Sequence, residues 1–346
     1  TDVDPLFGDL ATFDRLLAEA HRRDIRIIID YVPNHSSVQH PWFLESRSSR
    51  DNPRRDWYIW RDPAPDGGPP NNWVSYFGGP AWAFDEFSQQ YYLHLFLPEQ
   101  PDLNWHNPAV RDEFEQILRF WLDRGVDGFR IDVAHALVKD EHLTSNPQVG
   151  PWDPAAPRWK QWDAFDHLYD VTQPGTLDVF AAWRRLAEDY DALLLGETYV
   201  LDGDELATML RGDGLHAGFW FAPMHMAWEP AEIRETLAAP LESVSDPRSV
   251  AWVASSHDET RPPSRFGGGD TGRQRALALT TLLFGLPGLP FLYQGEELGL
   301  VDGIVPEHLK ADPVGLDVAD SRDGCRTPMP WEPGIAFGFS TSAETW

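Results

Sequence analysis

The stretch Gly128-Phe129-Arg130-Ile131-Asp132 decides the fold, because it has the pattern of a buried strand that ends in a carboxylate. It follows a predicted helix that begins at Asn107-Pro108, a capping residue with proline in the first turn, and that stops at Gly125. A helix that leads directly into a buried strand is the repeating unit of an α/β protein with a parallel sheet.

The same unit recurs on both sides of this stretch. Upstream, a helix predicted over residues 10–23 leads into a strand over residues 25–29 and then Asp30. Downstream, strands are predicted over residues 193–197, 218–221, 250–254 and 289–296, with helices over residues 177–189 and 273–284. Such an alternation forms either an open doubly wound sheet or a closed barrel.

Polar residues at the strand ends separate these two architectures. Asp30, Asp132, Glu197 and His257-Asp258 each follow a predicted strand. A closed barrel gathers all such ends around one mouth, whereas an open sheet spreads them along an edge. We therefore predict a TIM (β/α)8 barrel that is incomplete here, with strands 3 to 8 present. The opening at Thr1 in mid-loop predicts that two strands lie upstream.

A stretch rich in Pro, Gly, Asn and Trp interrupts the alternation between His35 and Asn104. It is far longer than an ordinary loop between a strand and a helix, which predicts a small inserted domain over the barrel mouth. The predicted organisation is a barrel part over residues 1–35, this insertion, domain B, over residues 36–104, and a second barrel part over residues 105–346. A second Pro- and Trp-rich loop, residues 144–162, is predicted on the same face.

Charge and cysteine content exclude several classes of partner. The formal net charge of −27 would repel nucleic-acid phosphates and anionic lipids. Cys325 is the single cysteine, so no internal disulfide calls for an oxidising compartment. The sequence has no apolar run near the roughly 20 residues of a membrane span, and its polar start is unlike a signal peptide. We expect no nucleic-acid or membrane partner and a cytoplasmic location.

Two of the strand-end carboxyl groups suit the hydrolysis of a glycosidic bond with retention, which needs one ionised and one protonated carboxyl group roughly 5–5.5 Å apart. Arg130 and Asp132 share one face of their strand, and a guanidinium keeps a neighbouring carboxylate ionised. Glu197 follows three leucines and Gly196, an apolar approach that raises the pKa of a carboxyl group. Asp132 is the predicted nucleophile and Glu197 the predicted proton donor. Asp258 is predicted to favour the transition state.

Each of these residues also has a structural interpretation. Arg130 and Asp132 alone form a structural ion pair more often than a catalytic one, Glu197 could cap its strand, and a lone His35 is more often a buried core histidine. Their occurrence at four strand ends of one fold favours catalysis. A metal cluster at His257-Asp258-Glu259 is disfavoured because adjacent residues on a strand point apart. No metal or cofactor is expected in the chemistry.

Six motifs resemble the α-amylase family of glycoside hydrolases, family thirteen, and within it the oligo-1,6-glucosidase and α-glucosidase branch. They lie in the order typical of the family, although Ser256 stands where the family usually has Asn. The motifs are Asp30-Tyr31-Val32-Pro33-Asn34-His35, Gln100-Pro101-Asp102-Leu103-Asn104, Gly128-Phe129-Arg130-Ile131-Asp132-Val133-Ala134-His135, Gly196-Glu197, Ser256-His257-Asp258 and Arg322-Asp323-Gly324-Cys325-Arg326-Thr327-Pro328-Met329-Pro330-Trp331.

The resemblance implies a retaining α-glucosidase that releases terminal glucose from short α-linked gluco-oligosaccharides through a covalent glucosyl-enzyme intermediate. It implies Asp132 as nucleophile, Glu197 as acid/base and Asp258 as transition-state stabiliser. The implied substrate-binding residues are His35, Arg130 and His257 around the transferred glucose, and Arg261 and Arg265 near the leaving group. A structural calcium ion is possible, but the family's calcium loop would lie outside this chain.

The resemblance leaves the acceptor and the linkage open. A glucosyl transferase or an isomerase similar to trehalose synthases would use the same carboxylates and pass glucose to a sugar. Val133 resembles the choice of enzymes that accept α-1,6 links, but Ala134-His135 also occurs in α-1,4-acting relatives. Non-catalytic transporter heavy chains and lectins are disfavoured, because the former lose catalytic carboxylates and carry a membrane anchor, and the latter do not need this set of charged residues.

Overall fold

The computed structural model describes residues 1–314 and 321–342, and these form two compact units. The first unit contains Thr1–Thr198 and Met209–Ala217, and the second contains Tyr199–Thr208 and the described residues from Gly218 onward. The α-helices of the described residues are α1 (Leu10–His21), α2 (Pro41–Ser48), α3 (Pro108–Asp123), α4 (Arg158–Trp162), α5 (Gly175–Asp189), α6 (Gly203–Leu210), α7 (Ala222–His225), α8 (Pro230–Ser243), α9 (Pro262–Arg265) and α10 (Gly269–Phe284).

Strands and helices alternate as the sequence predicts. The strands are β1 (Ile28–Tyr31), β2 (Trp60–Arg61), β3 (Trp82–Asp85), β4 (Gln90–Leu93), β5 (Gly128–Ile131), β6 (Leu193–Gly196), β7 (Ala217–Trp220), β8 (Val250–Trp252) and β9 (Leu289–Pro290). In the first unit, β5 pairs in parallel with both β1 and β6. In the second unit, β8 pairs in parallel with both β7 and β9.

The register at β5 depends on Gly128. A Cβ atom at this position would lie 2.4 Å from the backbone oxygen of Leu193, its partner on β6. Because no side chain fits that distance, only glycine lets the two strands pair here. The close pairing brings the ends of β5 and β6, and therefore Asp132 and Glu197, to the same edge.

Helix α3 begins and packs as its sequence pattern predicts. The Asn107 side chain accepts a hydrogen bond of 2.9 Å from the backbone N–H of Ala109, with Pro108 in the first turn. The apolar face of α3 is buried, and Phe114 stands edge-on to Tyr31 of β1 at a ring distance of 5.7 Å. The helix thus covers the strands whose ends carry the candidate site.

The predicted insertion contains a separate antiparallel sheet of order β2-β4-β3. It lies within residues 36–104, although the boundaries of the predicted domains remain a prediction. A core of buried residues from this region, among them Trp73, Trp82 and Leu93, also includes Val133 and Ala136, which follow β5. The insertion therefore packs directly on the segment after Asp132.

Several strands differ from their predicted ranges, and β8 for example ends at Trp252 instead of residue 254. Strand β1 begins at Ile28 and not at Ile25, because Asp24 has a left-handed backbone (φ 57°) and the N–H of Ile25 still bonds to Ala20 at the end of α1. Strand β9 contains only Leu289 and Pro290 of the predicted range, and the N–H of Phe291 makes a further bond to the backbone oxygen of Trp252 in β8 at 2.8 Å. The helices that were not predicted from the sequence pattern are α2, α4, α6, α7, α8 and α9.

Candidate active site

Arg130 is the centre of the charged cluster in the first unit. Its Nη1 lies 2.9 Å from Oδ1 of Asp132 and 2.8 Å from Oδ1 of Asp30, and its Nη2 lies 2.8 Å from Oε1 of Glu197. Burial alone would lower the pKa of Arg130, but the charges of Glu197, Asp30 and Asp132 raise it. The guanidinium is therefore a permanent cation between the two predicted catalytic carboxyl groups.

Glu197 has a raised pKa. Burial, followed by the nearby charge of Asp132, raises its pKa to about 8, while Arg130 acts in the opposite direction. This is the direction that the apolar approach through β6 predicts. The N–H of Val133 donates to Oε2 of Glu197 at 3.1 Å, which fixes the carboxyl group relative to the segment after β5.

Val133 has an unusual backbone conformation for a β-branched residue. Its φ of 48° and ψ of 40° are left-handed, and the side chain is buried. Such a conformation costs free energy and persists only where the surroundings impose it. Here the backbone turns the Val133 N–H toward Glu197, and the next N–H, of Ala134, bonds to the Glu197 backbone oxygen at 3.0 Å. No sequence pattern signals this turn.

His35 lies in the same unit, after β1. Its Nε2 is 3.0 Å from the Gln100 side-chain nitrogen, and its Nδ1 is 3.3 Å from that of Asn34. Burial lowers the pKa of His35, partly offset by the charges of Asp102 and Asp132. The ring is neutral at pH 7 and hydrogen-bonded to Gln100, whose motif the sequence analysis singled out.

A buried ion pair near His35 was not predicted from the sequence. The Lys139 Nζ is 2.7 Å from Oδ2 of Asp102 and 2.8 Å from Oδ1 of Asn34, and it also donates to the backbone oxygen of Ala136. Side chains of Lys139 and Asp102 are 1% and 0% exposed. Three donors thus meet three acceptors, which is what a buried ammonium needs. The pair ties the segments after β1 and β5 to the end of the insertion.

In the second unit, Asp258 is surrounded by cations. Its Oδ2 is 3.1 Å from Nε2 of His257, and its Oδ1 is 2.7 Å from Arg322 and 2.9 Å from Arg326. Burial by itself would raise the pKa of Asp258, but His257, Arg322 and Arg326 together hold it below the usual value. Asp258 is therefore ionised. Arg322 and Arg326 lie in the last of the six motifs, but the sequence predicted no role for either residue.

Arg322 is itself held in place by Asp312. Its Nε and Nη2 lie 2.8 Å and 2.7 Å from the two carboxylate oxygens of Asp312, a bidentate pair. The Nε of Arg326 bonds to the backbone oxygen of His257 at 2.7 Å. The segment around Arg322 thus fixes both Asp258 and the residue before it.

Arg261 and Arg265 bind backbone carbonyl groups in the second unit. Arg261 is 1% exposed and donates to Gln294 and Cys325, each at 2.9 Å. Arg265 donates to the carbonyl oxygens of Met224, Pro223 and Ala254. Through these contacts both guanidinium groups hold backbone segments in place. A position of Arg261 and Arg265 near the leaving group remains a prediction.

The acidic residues of both units do not gather as metal ligands do in the part of the chain that the structure describes. Within residues 1–314 and 321–342, no three His, Cys, Asp or Glu side chains gather in an arrangement that could hold a metal ion. The expectation that the chemistry needs no cofactor remains a prediction, as does the structural calcium site outside this chain.

Charged side chains at the carboxyl ends of neighbouring parallel strands, here Asp132 and Glu197 joined by Arg130, define the class as the α/β proteins of TIM-barrel type. Residues 1–346 match the family model described as alpha amylase, catalytic domain. The chain belongs to the α-amylase family, and the fold and family predicted from the sequence are confirmed.

Similar proteins refine this assignment. A probable alpha-glucosidase of Rhizobium meliloti (strain 1021) is 42% identical over 100% of this chain and 64% of that protein. An oligo-1,6-glucosidase of Heyndrickxia coagulans is 35% identical over 98% of this chain and 66% of its own length. A crystal structure of an alpha-glucosyl transfer enzyme is 41% identical, with a TM-score of 0.91 over 99% of this chain and 65% of that one. The chain spans just under two thirds of these proteins.

Among the described residues, the helices are all too short or too polar to traverse a lipid bilayer. The cytoplasmic location and the absence of a nucleic-acid partner remain predictions.

Proposed function

We propose that the protein is a retaining α-glucosidase that releases terminal glucose from short α-linked gluco-oligosaccharides. The proposal rests on the contacts of Arg130 and on the raised pKa of Glu197. One guanidinium contacts both carboxyl groups, yet burial raises the pKa of Glu197 to about 8. A protonated Glu197 can give its proton to the leaving oxygen, while Asp132 attacks the anomeric carbon.

The reaction would proceed in two steps. In the first, the Asp132 carboxylate forms a bond to the anomeric carbon as the glycosidic bond breaks, and the proton of Glu197 goes to the leaving oxygen. In the second, Glu197 takes a proton from water, and the water oxygen displaces Asp132. Asp258, ionised by its cationic neighbours, would stabilise the positive charge that develops on the sugar ring.

The remaining site residues would bind the sugar that is transferred. His35 is neutral and can exchange hydrogen bonds with sugar hydroxyl groups, whereas Arg130 orients Asp132. His257 contacts Asp258. Arg261 and Arg265 are proposed to act from the leaving-group side by shaping the segments that they bind.

A second candidate is a glucosyl transferase or an isomerase. The structural match to an alpha-glucosyl transfer enzyme at 41% identity favours it, because the same two carboxyl groups would pass glucose to a sugar instead of water. The two candidates differ only in what attacks the glucosyl-enzyme.

Product analysis tests both. Purified full-length protein is incubated separately with maltose, isomaltose and sucrose, beside Asp132→Ala and a surface control, Asp14→Ala, whose exposed carboxylate pairs with Arg124. Two glucose molecules per maltose consumed, lost in Asp132→Ala and retained in Asp14→Ala, would support the glucosidase. Free glucose accompanied by a longer oligosaccharide would support a transferase, because the leaving glucose is released while the other glucosyl group passes to a sugar. A new disaccharide without net glucose would support an isomerase. Well-folded protein that turns over none of these sugars would overturn the proposal.

A further inference from the structure

Four aromatic rings of the first unit form a continuous stack. Phe96 stacks on Tyr76 at 5.1 Å and 17°, Tyr76 stacks on Trp162 at 3.7 Å and 18°, and Trp162 stacks on His167 at 3.4 Å and 6°. Phe96 also contacts His35 at 5.3 Å. Such near-parallel rings constrain each other's orientation. The stack therefore connects the predicted glucose site to the Pro- and Trp-rich loop.

The second ring of the stack is hydrogen-bonded beside the predicted nucleophile. The Tyr76 hydroxyl lies 2.8 Å from Nε2 of His135, which is three residues after Asp132. His135 is 3% exposed, and burial lowers its pKa to about 4, so the ring is neutral. Its backbone segment starts at Val133, whose N–H contacts Glu197. A shift of Tyr76 would therefore reach the turn between the two catalytic carboxyl groups.

The outer end of the stack is anchored by His167. Its Nδ1 is 2.7 Å from Oδ2 of Asp170, and its Nε2 is 3.0 Å from the backbone oxygen of Trp162. Asp170 is fully buried. Because one partner is a carboxylate and the other a carbonyl group, both ring nitrogens face acceptors. His167 thus fixes the Trp162 ring through a stack and its backbone through a hydrogen bond.

We propose that Trp162 is a positioning residue for the reaction. It holds the Tyr76 ring, Tyr76 holds His135, and His135 fixes the turn that carries the Val133 N–H to Glu197. The inference rests on the proposed function. It assigns a task to the loop of residues 144–162, which the proposed mechanism does not use.

Kinetics of Trp162→Leu test the proposal. We expect kcat for maltose to fall between about tenfold and a hundredfold, because small misplacements of reacting groups carry costs of this order. KM should change little, since the glucose-binding side chains are untouched. Trp159→Leu is the matched control, because Trp159 lies on the same short helix and is 57% exposed. Trp162→Phe, which retains a ring for stacking, should keep most of the activity.

A double-variant cycle separates positioning from a general structural effect. Tyr76→Phe removes the hydroxyl that bonds to His135, so Trp162→Leu should cost much less in that background than in the natural protein. Equal costs in both backgrounds would overturn the proposal. So would a Trp162→Leu variant of unchanged kcat.

A readout without turnover distinguishes this inference from the proposed function. The ¹⁵N signals of the His135 ring, assigned with a His135→Gln variant, report the hydrogen bond from Tyr76. Trp162→Leu should shift them, and Trp159→Leu should not. Unchanged His135 signals in Trp162→Leu would overturn the inference, even if no sugar proved to be a substrate. A clear shift of the His135 signals in a protein that hydrolyses no sugar would support the link from Trp162 to His135. It would reject the proposed glucosidase function.

Discussion

At the scale of single residues, the candidate site depends on one cation between two carboxyl groups. Arg130 contacts Asp132 and Glu197 at 2.9 Å and 2.8 Å. Burial raises the pKa of Glu197, which follows β6 and whose side chain is 14% exposed, to about 8 in spite of the contact with Arg130. Burial therefore has a larger effect than the arginine on the pKa of the predicted acid.

Replacing the predicted acid isolates this effect. Glu197→Gln keeps the shape of the side chain but cannot donate a proton, so glucose release from maltose should fall by roughly 10²- to 10⁴-fold. The surface control Glu235→Gln should retain full activity, since Glu235 is exposed. Steady-state rates of the two variants check the prediction, and an undiminished rate in Glu197→Gln would contradict it.

The pH profile provides a second test at this scale. The proposed first step requires the acid form of Glu197, which is lost as the pH rises through its pKa of about 8. Activity on maltose should therefore decline on the alkaline side near this value. Initial rates between about pH 3 and about pH 10 cover both the raised pKa and the ordinary pKa of a glutamate. A decline centred near the ordinary pKa of a glutamate would show that burial does not raise the pKa as described.

At the scale of elements, the turns between helices and strands have a common geometry. After each of α1, α3 and α5, one residue with a left-handed backbone conformation turns the chain. These residues are Asp24 with a φ of 57°, Gly125 with a φ of 98° and Asp191 with a φ of 53°. Glycine adopts this conformation without cost, whereas a residue with a side chain does not. Two of the three turns therefore carry backbone strain that the third avoids.

Asp24→Gly should relieve that strain. We expect the free energy of unfolding to rise by about 0.5–1 kcal/mol, the net of lower strain and a more flexible unfolded chain. Gly125→Ala, the reverse change at the equivalent turn, should lower it by about 1–2 kcal/mol. Urea unfolding of both variants measures the two values. A destabilised Asp24→Gly would show that the Asp24 side chain contributes a contact worth more than the strain.

At the scale of the whole molecule, charge is the dominant property. The chain has 55 acidic and 28 basic residues, for a net charge of −27. Even if every Lys and Arg side chain were paired, as Lys139 is with Asp102, 27 acidic side chains would have no basic partner. Repulsion among the remaining carboxylates opposes the compact state, and dissolved salt screens it over about 10 Å at 0.1 M.

Stability should therefore increase with ionic strength. Raising NaCl from about 10 mM to about 0.5 M at pH 7 should raise Tm, because the screening length shortens severalfold. The increase should be much smaller near pH 4.6, the isoelectric point, where the net charge vanishes. Thermal unfolding by circular dichroism measures both series. A Tm at pH 7 that is independent of salt would exclude self-repulsion as a destabilising term.

Much of the fold and part of the candidate site follow from local sequence. Asp132 and Glu197 stand directly after strands whose apolar patterns are short and clear, so chain order alone predicts where they meet. Arg322 pairs with Asp258 across 64 residues, and no local pattern carries such a contact. The left-handed backbone of Val133 contradicts the preference of a β-branched residue, because tertiary packing imposes it.

The buried Lys139 has a consequence for chemical labelling. The chain has three lysines, and of these Lys139 is 1% exposed, Lys310 is 9% exposed and Lys160 lies on the surface. An acylating reagent should modify Lys160 within minutes, whereas Lys139 can react only when its bonds to Asp102 and Asn34 open. The rate of acylation at Lys139, followed by mass spectrometry, would therefore report how often the segments that carry His35 and Asp132 open. The rate at Lys160 in the same molecule serves as the internal reference.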